Sequence, residues 1–169
     1  MARSRMFLNT ILGVVIAAGA CSPAAQTPSE PAPPSFSLGL ADARFASCTP
    51  LPAETVTMVL GPQGGTLQVG PHTLTLQKGA LQNTVEITAE IVADNANYIK
   101  FSPEGLQFGN GAKLTMSYRN CPGVTIKNLS LVYADDALTP LEVLASKADP
   151  KNRTVSAPLR HFSIYAVAY

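Results

Sequence analysis

The sequence predicts an all-β fold, an antiparallel β-sandwich that forms a single domain. Three observations lead to this prediction. From Thr55 onward, short apolar stretches are separated by turn residues at the spacing of strands in a sandwich. Residues 85–92 alternate between apolar and polar side chains, so that one face of this strand is buried and the other is exposed. Helical spacing of apolar residues does not persist over a useful length in this region.

The predicted strands follow one another from residue 56 to residue 167. Gly61-Pro62-Gln63-Gly64-Gly65 and Gly70-Pro71 supply turns between the early strands. Asp149-Pro150-Lys151-Asn152 is a predicted turn as well. Asp135-Asp136 is another, because its carboxylates can accept hydrogen bonds from nearby backbone amides. The strands are predicted at residues 56–60, 66–69, 72–76, 85–92, 99–101, 106–108, 113–118, 129–134, 141–145, 154–157 and 161–167.

Residues 1–20 have the layout of a secretory signal. Arg3 and Arg5 precede an apolar run over residues 6–18, and small residues follow. This run is shorter than the ~20 apolar residues that a transmembrane helix needs. We therefore expect a cleaved signal peptide and not a permanent membrane span.

The segment Ala18-Gly19-Ala20-Cys21 resembles the bacterial lipobox, although Ala18 stands where that motif usually has Leu. The resemblance implies cleavage before Cys21, acylation of this cysteine and attachment to membrane lipid. An ordinary signal peptide cut nearby, with Cys21 as a spare thiol, is the alternative. Ser22 in place of Asp implies the outer membrane of the cell envelope if the host is Gram-negative.

Residues 21–54 are predicted to form a lipid-anchored tether and a lead-in to the domain at residues 55–169. Pro, Ala, Ser and Gln dominate residues 22–35, so this stretch cannot bury enough apolar surface to offset the entropy of ordering. Two of the twelve basic residues lie in the signal, and the rest nearly balance the eleven acidic residues. The sequence has no cluster of basic residues, so we do not expect a nucleic-acid partner.

Cys48 and Cys121 remain once Cys21 is set aside. An even pair of cysteines in an exported chain predicts a disulfide. A metal site is the rival interpretation, but His72 and His161 lack the spacing of metal ligands relative to these cysteines. We expect neither a metal nor another cofactor.

Four motifs together resemble a ZU-five domain, the β-sandwich module of zonula occludens proteins, netrin receptors and ankyrins. The resemblance extends over residues 59–169, although Gln77 stands where relatives usually have Pro. It implies an interaction or structural module without an active site. The motifs are Gly64-Gly65-Thr66-Leu67, Leu74-Thr75-Leu76 with Lys78-Gly79-Ala80-Leu81, Phe101-Ser102-Pro103-Glu104-Gly105-Leu106-Gln107-Phe108, and His161-Phe162-Ser163.

His161-Phe162-Ser163 also resembles sites at which some members of that family cut their own backbone before the serine. The resemblance implies attack of the Ser163 hydroxyl on the Phe162 carbonyl, with His161 polarising or orienting the peptide. The alternative is that alternation along a strand places Phe162 in the core and gives the tripeptide a structural role only.

The third function that the sequence leaves open is binding of polysaccharide or peptidoglycan. Exposed tyrosines could provide a sugar-binding or protein-binding face, but alternation can equally place them in the core. Glu86, Glu90, Asp135 and Asp136 are interpreted as solvated carboxylates and not as an acid–base pair. The candidate aromatic residues are Tyr98, Tyr118, Tyr133, Tyr165 and Tyr169.

Overall fold

The computed structural model describes residues 43–124 and 126–169. The predicted signal, the lipidation site Cys21 and the first part of the tether lie outside the described residues. The described chain forms eleven strands and a short 3-10 turn, Ile126–Asn128. The strands are β1 Glu54–Leu60, β2 Gly65–Val69, β3 His72–Leu76, β4 Val85–Ile91, β5 Tyr98–Ser102, β6 Gln107–Ser117, β7 Ser130–Ala134, β8 Pro140–Val143, β9 Lys147–Asp149, β10 Thr154–His161 and β11 Ile164–Ala168.

The strands form two antiparallel sheets that pack face to face. The six-stranded sheet has the order β1-β4-β5-β11-β7-β8, and the five-stranded sheet has the order β2-β3-β6-β10-β9. The prediction of an all-β antiparallel sandwich is confirmed. Strand β11 lies inside its sheet, between β5 and β7, so the C-terminus of the chain contributes a central strand.

The core lies between the two sheets and follows the alternation predicted from the sequence. In β4, Ile87, Ala89 and Ile91 are buried, whereas Glu86 and Glu90 are exposed. The facing sheet contributes side chains with the same period, because successive strand residues point to opposite faces. Among the largest fully buried side chains are Leu67, Leu74, Ile87, Leu114, Met116 and Leu131.

The connection from β1 to β2 carries the chain from one sheet to the other through a tight turn. The Gly64 amide donates a hydrogen bond to the Gly61 carbonyl at 2.9 Å. Gly64 and Gly65 have φ values of 77° and 155°, which L residues with a Cβ rarely adopt. A Cβ on Gly64 would also meet the backbone of Leu76 and Gln77.

Residues 43–53 precede β1 and are joined to the sandwich by backbone hydrogen bonds. Arg44 and Tyr169 exchange two of them, with N···O distances of 3.1 and 3.0 Å, and the Ala46 amide donates to the Val167 carbonyl at 2.9 Å. Further along, the Cys48 amide donates to the Asn95 carbonyl at 2.8 Å. The lead-in to the domain is therefore hydrogen-bonded to the sandwich from Arg44 onward.

The predicted disulfide between Cys48 and Cys121 is present. The two residues are 73 positions apart in sequence and both are buried. The bond joins the lead-in to the segment that follows β6, and next to it the Thr49 amide donates to the Asn120 carbonyl at 2.7 Å. The entry of the chain into the domain is thus fixed covalently to the middle of the domain.

The strands differ from the prediction at several places, and β10 extends four residues beyond the predicted strand at 154–157. The predicted strands at 106–108 and 113–118 are parts of the single strand β6, and the short strand β9 was not predicted. The predicted strand at 161–167 does not exist as one element, because His161 ends β10 in one sheet and Ile164 begins β11 in the other. The intervening residues, Phe162 and Ser163, form the crossing between the sheets.

Candidate functional site

The tripeptide His161-Phe162-Ser163 is located where the chain passes from the five-stranded to the six-stranded sheet. The Phe162 side chain is fully buried between the sheets. Its ring stacks on Phe101 with a centroid distance of 4.9 Å and meets the edge of Phe108 at 4.8 Å. Such aromatic pairs add to the stability that burial of the ring already provides. Phe162 is therefore an anchor of the crossing.

The Phe162 carbonyl, which Ser163 would attack in self-cleavage, has two polar groups nearby. The Gly105 amide donates to this oxygen at 3.0 Å, and His161 Nδ1 lies 3.4 Å from it. A donor aimed at a carbonyl oxygen stabilises the negative charge that develops there during nucleophilic attack. Ser163 itself is only 5% exposed.

The sequence showed Gly105 only as part of a family-like motif, and its contact with the Phe162 carbonyl was not predicted. Gly105 has a φ of 73° and lies in the loop between β5 and β6. The Phe162 amide in turn donates to the Leu106 carbonyl at 2.9 Å, so two backbone hydrogen bonds join the β5–β6 loop to the crossing between the sheets. The predicted motif Phe101-Ser102-Pro103-Glu104-Gly105-Leu106-Gln107-Phe108 marks this loop, but nothing in its residue types points to the carbonyl that it contacts.

His161 is oriented by aromatic neighbours of the six-stranded sheet. Its ring packs edge-on against Tyr133 at a centroid distance of 5.0 Å. The Tyr165 hydroxyl donates to the His161 carbonyl at 2.6 Å, and burial raises the pKa of Tyr165, so this hydroxyl stays protonated at neutral pH. A cavity of about 110 Å³ opens beside His161 and is also lined by Glu142 and Arg160. Water can reach the histidine from this side.

No protein-family model matches the chain, and none of the curated proteins is significantly similar to it. The resemblance to ZU-five domains therefore rests on the four sequence motifs. The sandwich is compatible with that resemblance, but many unrelated proteins share this architecture.

A buried polar cluster joins the two sheets near the disulfide and was not predicted. Asn97, which precedes β5, donates its side-chain amide to the Ser117 carbonyl at 2.7 Å. The Ser117 amide donates to His72 Nδ1 at 3.2 Å, and His72 is fully buried. His72 Nε2 has no hydrogen-bond partner among the described residues. The sequence showed His72 only as a possible metal ligand.

Burial lowers the pKa of His72 to about 4, and the neighbouring polar side chain of Asn97 opposes this shift in part. The ring is therefore neutral at physiological pH. Because Nδ1 accepts a hydrogen bond, the proton of the neutral ring is on Nε2. His72 is 45 positions from Ser117 in sequence, so no local pattern reveals this contact.

Most of the tyrosines considered as a binding face are in the interior. Tyr98, Tyr118 and Tyr165 are buried and Tyr133 is partly buried, whereas Tyr169 is 47% exposed. The described part of the chain thus offers one exposed tyrosine and not an aromatic face.

A shallow cavity of about 370 Å³ lies on the outer face of the five-stranded sheet. Hydroxyl, amide and ammonium groups line it, namely those of Thr75, Gln77, Ser156, Lys113 and Lys147. These groups can hydrogen-bond to the hydroxyl or carboxylate groups of a sugar chain.

In residues 43–124 and 126–169, no group of three or more His, Cys, Asp or Glu side chains is placed to hold a metal ion. No helix in the described part of the chain has the length and hydropathy for crossing a bilayer.

Asp135 accepts backbone hydrogen bonds from Ala137 at 3.0 Å and Thr139 at 2.7 Å, as predicted for a turn carboxylate.

Proposed function

We propose that this chain is a lipid-anchored protein of the bacterial cell envelope that displays a non-enzymatic, ZU-five-like interaction or structural module. The observation that carries the proposal is the disulfide between Cys48 and Cys121. Disulfides persist in exported proteins and are rare in the cytosol. The chain has three cysteines, and the disulfide uses two of them, so Cys21 of the lipobox-like segment is the third.

The firm attachment of residues 43–49 to the domain supports a protein in which the domain is carried at the end of a tether. Residues 43–49 are fixed by hydrogen bonds to Tyr169, Val167 and Asn120 and by the disulfide. Two or three acyl chains on Cys21 would bind a bilayer essentially irreversibly, since each buried methylene contributes about 0.8 kcal/mol. The Pro-rich stretch at residues 22–35 would separate the domain from the lipid surface. The partner is then an envelope protein or a polysaccharide.

Intact-mass spectrometry of the chain purified from membranes tests this proposal. The expected mass is that of residues 21–169 with acyl groups and one disulfide. The Cys21→Ala variant is the matched control, because it should lose the acyl groups and leave the membrane fraction while keeping the disulfide. An unacylated wild-type mass would contradict the lipid anchor, and a reduced mass would contradict the argument from the oxidising compartment.

Self-processing at the Phe162–Ser163 bond is a second candidate, favoured by the Gly105 amide at 3.0 Å from the Phe162 carbonyl. In this reaction Ser163 Oγ bonds to the Phe162 carbonyl carbon, the C–N bond breaks, and the hydroxyl proton passes to the departing nitrogen. Water then hydrolyses the ester and leaves a carboxylate on Phe162 and an amine on Ser163. His161 would orient the carbonyl.

The position of β11 determines how this second candidate must be tested. Cleavage would separate residues 163–169 from the chain, but β11 is hydrogen-bonded to β5 on one side and β7 on the other. The fragment would therefore stay in the folded domain and separate only on denaturation. Mass spectra of the denatured wild type should show both fragments, and Ser163→Ala should show the intact chain alone. Ser163→Cys is the matched control, since it keeps a nucleophile. An intact wild-type chain excludes this candidate.

A further inference from the structure

The six-stranded sheet has an apolar cluster on the face that points away from the other sheet. In β11, Tyr165 and Val167 belong to the core between the sheets, whereas Ile164, Ala166 and Ala168 belong to a separate cluster. All three are at most 5% exposed. The outer face of an antiparallel sheet is ordinarily polar. This face therefore differs from the outer face of the five-stranded sheet, which carries threonine, serine and lysine.

An apolar groove lies at one end of this outer cluster. It has a volume of about 210 Å³, and Ala43, Val132, Val143, Ala168 and Tyr169 are among the residues that line it. A dry protein cavity of about 150 Å³ is large enough to hold a benzene ring. The groove thus has room for one large apolar side chain.

The chain enters the described structure at this groove. Ala43 lines it, and the next residue, Arg44, is hydrogen-bonded to Tyr169, which lines it too. In the sequence just before Ala43, the large apolar residues Phe36, Leu38 and Leu40 alternate with small or polar residues. This period of two is the pattern of an extended segment with one apolar face.

We propose that residues 36–40 of the same chain dock into this groove, beside the outer apolar cluster. Leu40 is three residues before Ala43, and three extended residues span roughly 10 Å, which is sufficient to reach across neighbouring strands. Residues 35–41 contain no charged side chain, so docking leaves no charge buried without a partner.

The same chain is favoured over a second copy because the segment is covalently close to the groove. A short connection gives an effective concentration in the millimolar range, which a second molecule reaches only in concentrated solution. The inference goes beyond the proposed function and does not depend on acylation of Cys21.

Hydrogen exchange in the full chain tests this docking. The triple variant Phe36→Ser, Leu38→Ser, Leu40→Ser should lower the protection of the amides of Val132 and Val143 by about tenfold or more, because loss of a large apolar contact corresponds to at least that factor. The matched control Ser35→Asn, Ser37→Asn changes the alternate positions and should leave protection unchanged. Equal protection in the wild type and the triple variant would overturn the proposal.

Direct contact provides a second measurement that does not rely on the stability of the variants. Nuclear Overhauser effects between the methyl groups of Val143 and the side chains of Phe36, Leu38 or Leu40 are expected in the wild-type chain at low concentration. Their absence overturns the proposal. Effects that appear only at high concentration, together with a dimer in sedimentation, overturn it in favour of a second copy. The groove variant Val143→Asp should abolish the contacts and leave the core resonances in place.

Discussion

Replacing His72 by asparagine is expected to remove most of the pH dependence of stability between about pH 6.5 and pH 4. His72 has a pKa of about 4 in the folded protein because it is buried, against 6.5 for an exposed histidine. In this window the unfolded chain binds a proton on His72 and the folded chain does not. Stability therefore increases with pH across the window and is lost as the pH falls through it.

The magnitude follows from the difference between the two pKa values. One pKa unit corresponds to 1.36 kcal/mol, so the wild type should lose about 1.4 kcal/mol per pH unit and about 3 kcal/mol in total on acidification. Asp149 also has a lowered pKa, caused mainly by hydrogen bonds from Asn152, but its effect begins below its ordinary value of 3.8. The two contributions are thus separated on the pH axis.

Urea unfolding at several pH values from about 7.5 to about 4.5 measures this slope. The asparagine side chain can still accept the hydrogen bond from the Ser117 amide, which His72 Nδ1 now accepts at 3.2 Å, but it does not titrate. The variant should therefore give a nearly constant free energy of unfolding over this range. If the free energy of unfolding changed with pH equally in the wild type and in His72→Asn, the argument that burial holds the histidine neutral would be refuted.

Three further predictions concern the stability of the fold, each measured by urea unfolding. Phe162→Ala should cost about 3–5 kcal/mol, because the ring is fully buried among aromatic side chains; a cost below about 1 kcal/mol would contradict an anchoring role. Removal of the disulfide by Cys48→Ala, Cys121→Ala should cost about 4 kcal/mol, from the loop entropy of a 73-residue separation, and chemical reduction of the wild type should match it. Gly79→Ala should lower the free energy of unfolding by about 1–2 kcal/mol, because Gly79 has a positive φ. Gly64→Ala should lower it by more, because Gly64 also has a positive φ and a Cβ there would meet the backbone of Leu76 and Gln77, whereas a Cβ on Gly79 would meet nothing. Equal losses would contradict the steric argument.

The sequence was sufficient for the fold class and for strands with a strong local pattern. The alternation in β4 predicted both the element and its buried face, because one side chain in two must face the core. Strand β9 was missed because its three residues, Lys147, Ala148 and Asp149, are too few to show a period. Its place at the edge of the sheet depends on pairing with β10, which is a tertiary contact.

The crossing at Phe162 shows why the candidate site was harder to predict. Every residue of β11 is buried, so the apolar run from Ile164 to Ala168 has no period that would show where the chain changes sheets. The Gly105 amide is 57 positions from the carbonyl that it contacts, and the sequence contains no signal that pairs them. The disulfide was predictable, since one pair of cysteines remained once Cys21 of the lipobox-like segment was set aside.

The Cys48–Cys121 bond also determines which strands would bear a mechanical load. Tension that enters the domain upstream of Cys48 and leaves it through β7 to β11 passes directly to Cys121 through the covalent bond. Strands β1 to β6 lie within the bypassed loop, so the hydrogen bonds that join these strands to one another are not stretched. Reduction would place β1 in series with the load, and the hydrogen bonds between this edge strand and β4 would then be stretched. This one covalent bond therefore determines whether the connections from β1 to β6 carry any of the load.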